Sequence, residues 1–200
     1  MDLRAIPTYS LVFNIVLYGC LPLWLIMGFL DYICHRLSGI EKTTGIKESI
    51  YHAIMGVQIG IPIFLGLYLQ INVLVLLLMF ATLVLHEFLA HADVKYAKQT
   101  REISMLETHV HSFMETLPFF TVALIVCINW DAFIDLITLN WSGHLAFRPR
   151  EQSLNANYIA GYVALLLFAD VIPYIEEIIR CLRTRKNIAV ASSEGQNRAQ

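Results

Sequence analysis

Charge is the first thing this chain is short of. Fourteen Lys+Arg and sixteen Asp+Glu in 200 residues leave 15% charged against 57% hydrophobic, with mean hydropathy +0.60. That is too apolar for an ordinary soluble domain and points to a membrane protein. The net charge of −2 gives no basic footprint, so nucleic acid is excluded as a partner. Cysteine is sparse too. Cys20, Cys34, Cys127 and Cys181 form no C-x-x-C pair, so no disulfide framework, iron–sulfur site or structural zinc site is readable. Cys34 stands beside His35 and can be a thiolate ligand, but a thiol in an apolar run usually acts as a small hydrophobe. No nicotinamide or flavin motif is present, so any redox chemistry needs an external electron donor. The first apolar run lacks the basic leader and small-residue cleavage site of a signal peptide, so it is read as part of the mature chain.

What the chain does have is five apolar runs. They cover about 11–33, 50–69, 73–91 (continuing toward 98), 104–128 and 158–182. Each suits a hydrocarbon core of roughly 30 Å. The expectation is an all-α integral membrane bundle of five transmembrane helices. One domain spans 1–185, and a Ser/Gly/Gln/Asn-rich tail, 186–200, is expected to be disordered. Gln70–Asn72 permits only a tight turn, so runs two and three form a helical hairpin. Gly56-x-x-x-Gly60 would let another helix approach closely, within the chain or in a homodimer, and Pro62 should bend run two. Ser104-Met-Leu-Glu107 reads as a capping box. The connection 129–157 carries Trp130 and Trp141, which suit a membrane interface, with 132–139 as a short interfacial helix; His144, alone in that loop, reads as a surface residue. Of the 14 Lys+Arg, 11 fall in 36–47, 92–106 and 180–200, which share one side. The positive-inside rule makes that side cytoplasmic, placing the N-terminus outside and the C-terminus inside.

Four carboxylate-x-x-x-His pairs stand out: Asp31/His35, Glu48/His52, Glu87/His91 and Glu107/His111. Chance supplies only about 0.6 such pairs at this composition, a control on motif false positives. Residues four apart share a helix face. All four pairs fall at the cytoplasmic ends of their runs, although charge bias chose the side and spacing chose the pairs. Acids and imidazoles near a bilayer are costly and suggest function. Carboxylate oxygens and imidazole nitrogens suit iron, zinc or manganese. Two ligands per helix follows the logic of soluble di-iron bundles, and eight candidates suffice for two metal ions. His86 and His109 are further candidate ligands. Gln58, Asp93, Glu115, Asp170 and Glu177 are candidates for orienting an imidazole or contacting a substrate. For a single pair the ordinary reading is an interfacial ion pair, and Glu107 also has its cap. Asp31 and Glu87, near helix C-terminal ends, have no such role.

His86-Glu-Phe-Leu-Ala-His91 resembles the H-x4-H box of the His-rich membrane di-iron desaturases and hydroxylases. Their H-x-x-H-H box is absent. The resemblance implies a cytoplasm-facing di-iron centre and nothing finer. The stretches Glu107–Pro118 and Val171–Ile178 resemble small bacterial multi-spanning membrane proteins of unassigned function, which implies a bacterial inner membrane and no particular chemistry. The expected function is therefore a non-haem di-metal oxidoreductase, with iron as the leading metal, acting on a lipid or other apolar substrate. A zinc-dependent membrane hydrolase and a non-enzymatic metal transporter or sensor are the alternatives. HExxH is missing, because His91 lies one residue too far from His86.

Overall fold

The computed structural model describes residues 7–142 and 145–198. His144, read above as a surface residue, lies outside them. The described residues are all-helical, and five helices are long and apolar enough to cross a membrane. Helix α1 is Thr8–Ser38, α2 is Ile46–Tyr68, α3 is Val73–Thr100 and α4 is Met105–Ile128. The short α5, Trp130–Ile137, lies slightly earlier than the interfacial helix expected at 132–139. Helix α6 joins Ala156–Leu166, a π-helical turn Leu167–Val171, and Ile172–Arg198.

Local chemistry sets the boundaries. Gly39, at φ +66°, ends α1, and its N–H bonds the carbonyl of His35. Asn72 and Ser104 cap α3 and α4 by accepting the N–H groups of Val75 and Glu107, each at 3.1 Å. Only half of the expected capping box forms. The Glu107 side chain turns into the bundle instead of back to Ser104. The π-helical turns Val16–Cys20 and Leu167–Val171 each stop two residues before a proline, Pro22 and Pro173. A proline ring clashes with the carbonyl four residues back, and one wider turn relieves that clash. The last helix continues to Arg198, so 186–198 is helical where the sequence suggested disorder. Its side chains from Arg185 to Ser193 are all exposed.

The bundle is apolar outside and charged inside. Val57, Phe88, Phe120 and Phe168 face outwards, each more than 60% exposed, while Asp31, Glu48, Glu107 and Glu177 are 0% exposed. One end of the bundle is knitted by polar contacts between 36–48, the end of α3 with its linker to α4, and α6: Tyr96 to the Thr44 carbonyl, Arg101 to Glu48, and Arg180 to Glu41. The other end is closed by backbone bonds between the α2–α3 turn and the segment before α6, with Gln70 N–H donating to the Arg148 carbonyl at 2.9 Å and Arg150 N–H to the Tyr68 carbonyl at 3.0 Å. Gly56 and Gly60 do not serve a helix contact within the chain. A Cβ at either would meet nothing within 4 Å.

Candidate metal centre

Three of the four pairs converge at the polar end of the bundle. Asp31 and His35 come from the last turns of α1, Glu48 and His52 from the first turns of α2, and Glu107 and His111 from the start of α4. Within this set, Asp31, His35, His52 and His111 form one group that could hold a metal ion, and His35, Glu48 and Glu107 form another; a third joins Glu48 and His52 to Asp93. The ligand atoms within each group lie within 4.8 Å of one another.

Asp31 is the hub. One of its oxygens, Oδ2, is 2.9 Å from His52 Nδ1 and 3.6 Å from His35 Nε2; the other, Oδ1, is 2.8 Å from His111 Nε2. The Tyr174 hydroxyl lies 3.1 Å from both Asp31 Oδ2 and the Gly28 carbonyl, and fixes the carboxylate from the α6 side.

The two central imidazoles are held in the same way. His35 Nδ1 donates to Glu177 Oε2 at 3.0 Å, and Ser49 Oγ donates to the other oxygen of Glu177 at 2.8 Å. His52 Nε2 donates to Asp93 Oδ2 at 2.9 Å. A buried carboxylate behind one ring nitrogen fixes the tautomer and turns the other nitrogen's lone pair inward. Of these inner nitrogens, His35 Nε2 is buried with no hydrogen-bond partner, while His52 Nδ1 lies within hydrogen-bond distance of Asp31 Oδ2. His35 Nε2 faces oxygens of Glu48, Asp31 and Glu107 at 3.5, 3.6 and 3.8 Å. Those gaps are too long for hydrogen bonds. They match the spacing of about 3.4 Å between two ligands of one tetrahedral metal with bonds near 2.1 Å.

Arg101, from the linker between α3 and α4, closes this side. Its guanidinium reaches Glu48 Oε1 at 2.5 Å and Glu107 Oε2 at 2.9 Å, with a further short contact to Glu107 Oε1, and its side chain is 4% exposed. Burial opposes its charge, but the hydrogen bonds to Glu107 and Glu48 outweigh that and raise its pKa above the usual guanidinium value.

Helix α3 turns a different face inward from the one expected. His86, Ala90, Asp93 and Ala97 are buried, His91 is exposed, and Glu87 is half-buried away from the cluster. Spacing four apart says that Glu87 and His91 share a face; it does not say which face looks inward. His86 and Asp93, seven apart, occupy the inward stripe, with the small, buried Ala90 between them. His109 is also exposed, its Nδ1 held 2.7 Å from the Met105 carbonyl of its own helix. Glu115 is half-buried beside the cleft described next, and Gln58 is half-buried without contacting the cluster or that cleft. Asp93 and Glu177 stand behind imidazoles, and Asp170 is buried one helical turn from Asp31, against Gly28. Sequence reasoning missed Arg101 and Tyr174. Tyr174 follows Asp170 by four, and this shared face was the available signal. Arg101 had been counted only as surface charge.

From His52, His86 and His111 a cleft of about 660 Å³ runs into the apolar interior, past Gly56, Gly60 and Tyr162. Comparison with family models, with curated proteins and with solved structures found no match for the chain.

Proposed function

We propose that the chain is a membrane-embedded, non-haem di-metal oxidoreductase acting on an apolar substrate. The observation that carries this reading is the buried His35 imidazole, held by Glu177 from outside while its Nε2, without a hydrogen-bond partner, faces oxygens of Asp31, Glu48 and Glu107. A protonated His35 would instead hydrogen-bond inward. His35 Nε2 stays 3.5 Å or more from every oxygen it faces, so it is placed as a ligand lone pair rather than as a donor.

Charge supports two ions. Asp31, Glu48, Asp93, Glu107 and Glu177 are buried in one connected cluster, with Arg101 as the cation in close contact. Arg180 reaches Glu177 only at 4.0 Å and pairs with Glu41 and Glu176. Five carboxylates against one guanidinium leave four negative charges, which two divalent ions cancel. Uncompensated charge at this depth is strongly unfavourable. One ion would take His35, Glu48 and Glu107; the other would take His52 and His111; Asp31 would serve both.

Oxygen and nitrogen ligands without thiolate suit iron, which would supply oxygen activation at such a site. The protein would hold the ligands, exclude water and admit an apolar molecule through the cleft that ends at His52, His86 and His111. Electrons would come from a partner protein. The resemblance of 86–91 to the desaturase and hydroxylase box points to the same chemistry, although this structure gives the box no joint role, since His91 is exposed. The cluster end is placed in the cytoplasm, in keeping with the Lys and Arg bias, and a bacterial inner membrane follows from the second resemblance.

A zinc hydrolase is the second reading. It is favoured by the compact set of three imidazoles and one carboxylate, Asp31, His35, His52 and His111, a donor set suited to one zinc. Elemental analysis of detergent-purified protein decides between them. About two irons per chain supports the oxidoreductase, one zinc without iron supports the hydrolase, and no metal above background overturns both.

A further inference from the structure

A second cavity, of about 440 Å³, lies at the end of the bundle away from the metal cluster, where the backbone bonds between Tyr68, Gln70, Arg148 and Arg150 close the fold. It follows α1 from Tyr9 to Trp24, a rise of about 22 Å, and α4 from Pro118 to Ile128, a rise of about 15 Å. Small side chains along its wall, at Cys20, Gly66, Thr82 and Thr121, leave the space. A cavity of this volume and length is long and narrow, the shape of an extended hydrocarbon chain rather than of a compact molecule. Its middle offers no free hydroxyl: Thr82 and Thr121 donate to the Leu78 and Leu117 carbonyls of their own helices. Trp24, which also borders the cleft described above, forms the floor, and its indole N–H has no partner.

Charge is confined to the mouth. Arg150 and Glu151 both line it, side by side in sequence, and among the described residues neither has an ion pair. Each is held by something else. Arg150 Nη1 donates to the Gly66 carbonyl at 3.0 Å, and the guanidinium lies 4.7 Å from the centre of the Phe13 ring. A guanidinium has five N–H donors in a fixed fork, so anchoring one of them at Gly66 orients the others and leaves them free for an anion. Glu151 is exposed and accepts only a long contact, 3.5 Å, from Gln70 Nε2. A simple anion at this mouth would be drawn by Arg150 and repelled by Glu151. A head group carrying both charges meets both.

We infer that this cavity binds a single-chain zwitterionic phospholipid, of the lysophosphatidylethanolamine class, from the leaflet opposite the metal cluster. The phosphate takes the free edge of Arg150, the ammonium pairs with Glu151, and the acyl chain runs between the helices toward Trp24. No residue of the metal cluster lines this cavity, and Trp24 stands seven residues short of Asp31, about 10 Å along α1. The site therefore rests neither on the metal centre nor on the oxidoreductase reading.

Native mass spectrometry tests this. Protein purified in a maltoside detergent is mixed with equal amounts of palmitoyl lysophosphatidylethanolamine, palmitoyl lysophosphatidylglycerol and palmitate, and the bound species are counted. The expected result is one ethanolamine lipid per chain, in several-fold excess over either anion. Arg150→Gln lowers its retention roughly tenfold, the loss of one charge-assisted contact. Glu151→Gln keeps a lipid bound but equalises the ethanolamine and glycerol heads. Thr121→Phe fills the cavity part-way along and removes the lipid; Arg150 and Glu151 stand at the mouth, so their variants decide the matter even where Thr121→Phe does not fold. Equal retention of palmitate or of the glycerol lipid by the wild type, or unchanged retention in Arg150→Gln, overturns the inference. Full retention by folded Thr121→Phe overturns it too, since the lipid then sits on the outside of the bundle. Metal content measured on the same samples separates the two readings: selective lipid retention by protein that holds no metal supports this site and overturns the metal centre.

Discussion

At the scale of single residues, the centre depends on atoms that never face it. Glu177 and Asp93 touch the outer nitrogens of His35 and His52, and through them set how the inner nitrogens are presented to Asp31. Replacing such an outer carboxylate typically costs 10- to 100-fold in metal affinity. Glu177→Gln and Asp93→Asn should each weaken metal binding by about that factor in a chelator competition, while His35→Ala and His52→Ala should lower the metal count itself. Wild-type affinity in both amide variants would mean that the carboxylates only fill space. Much of this was readable from residue types and spacing: three of the four acid–imidazole pairs converge, and Asp93 and Glu177 were candidates for orienting an imidazole. Glu87 and His91 show the limit. Periodicity fixes angles between residues on one helix, but the packing of the other helices decides which angle is inside. In lipid, hydrophobicity does not decide it either, since α3 is apolar nearly all round its membrane portion.

At the scale of elements, the linker between α3 and α4 does more than connect them. Arg101 clamps the start of α2 to the start of α4 through Glu48 and Glu107, the two carboxylates that face His35 with Asp31. Removing one partner of a buried pair usually costs about 3–5 kcal/mol, because the other charge is stranded. Arg101→Ala should lower thermal stability in detergent by that order. Arg101→Lys should recover only part of it, since an ammonium cannot fork across two carboxylates. An unchanged melting temperature in the alanine variant would show that the clamp is not structural. Helix α2 offers the complementary case. Gly56 and Gly60 were legible as a small-residue ridge, but the sequence could not say that the ridge lines a cleft instead of a helix contact. Gly60→Leu adds bulk where a Cβ meets nothing, so the fold and metal content should survive while the cleft closes to ligand. Loss of metal in that variant would mean the residue supports the cluster rather than the cleft. The π-helical turns were not foreseen. Pro22 and Pro173 mark where each helix must adjust, but a proline alone does not distinguish a kink from a wider turn.

At the scale of the molecule, the five spans and their order followed from length and apolar content, because a bilayer demands both of any crossing helix. The side of the membrane is a separate question, which the bundle's charges address. Several basic residues at the cluster end are internally paired: Arg101 with Glu48 and Glu107, Arg36 with Glu176, and Arg180 with Glu41. Setting those three aside, 8 of the remaining 11 Lys and Arg still lie in the segments at that end. The bias is therefore carried by unburied residues such as Lys42, Lys98, Arg183 and Lys186, the kind of residue that the positive-inside rule counts. A green fluorescent protein fused after residue 200 should fluoresce, and alkaline phosphatase fused at the same place should be inactive. Phosphatase placed in the 138–155 connection should be active. The reverse pattern would put the acid–imidazole cluster on the outer face, where an electron donor from the cytoplasm could not reach it, and the oxidoreductase reading would lose its source of electrons even if the metal were present.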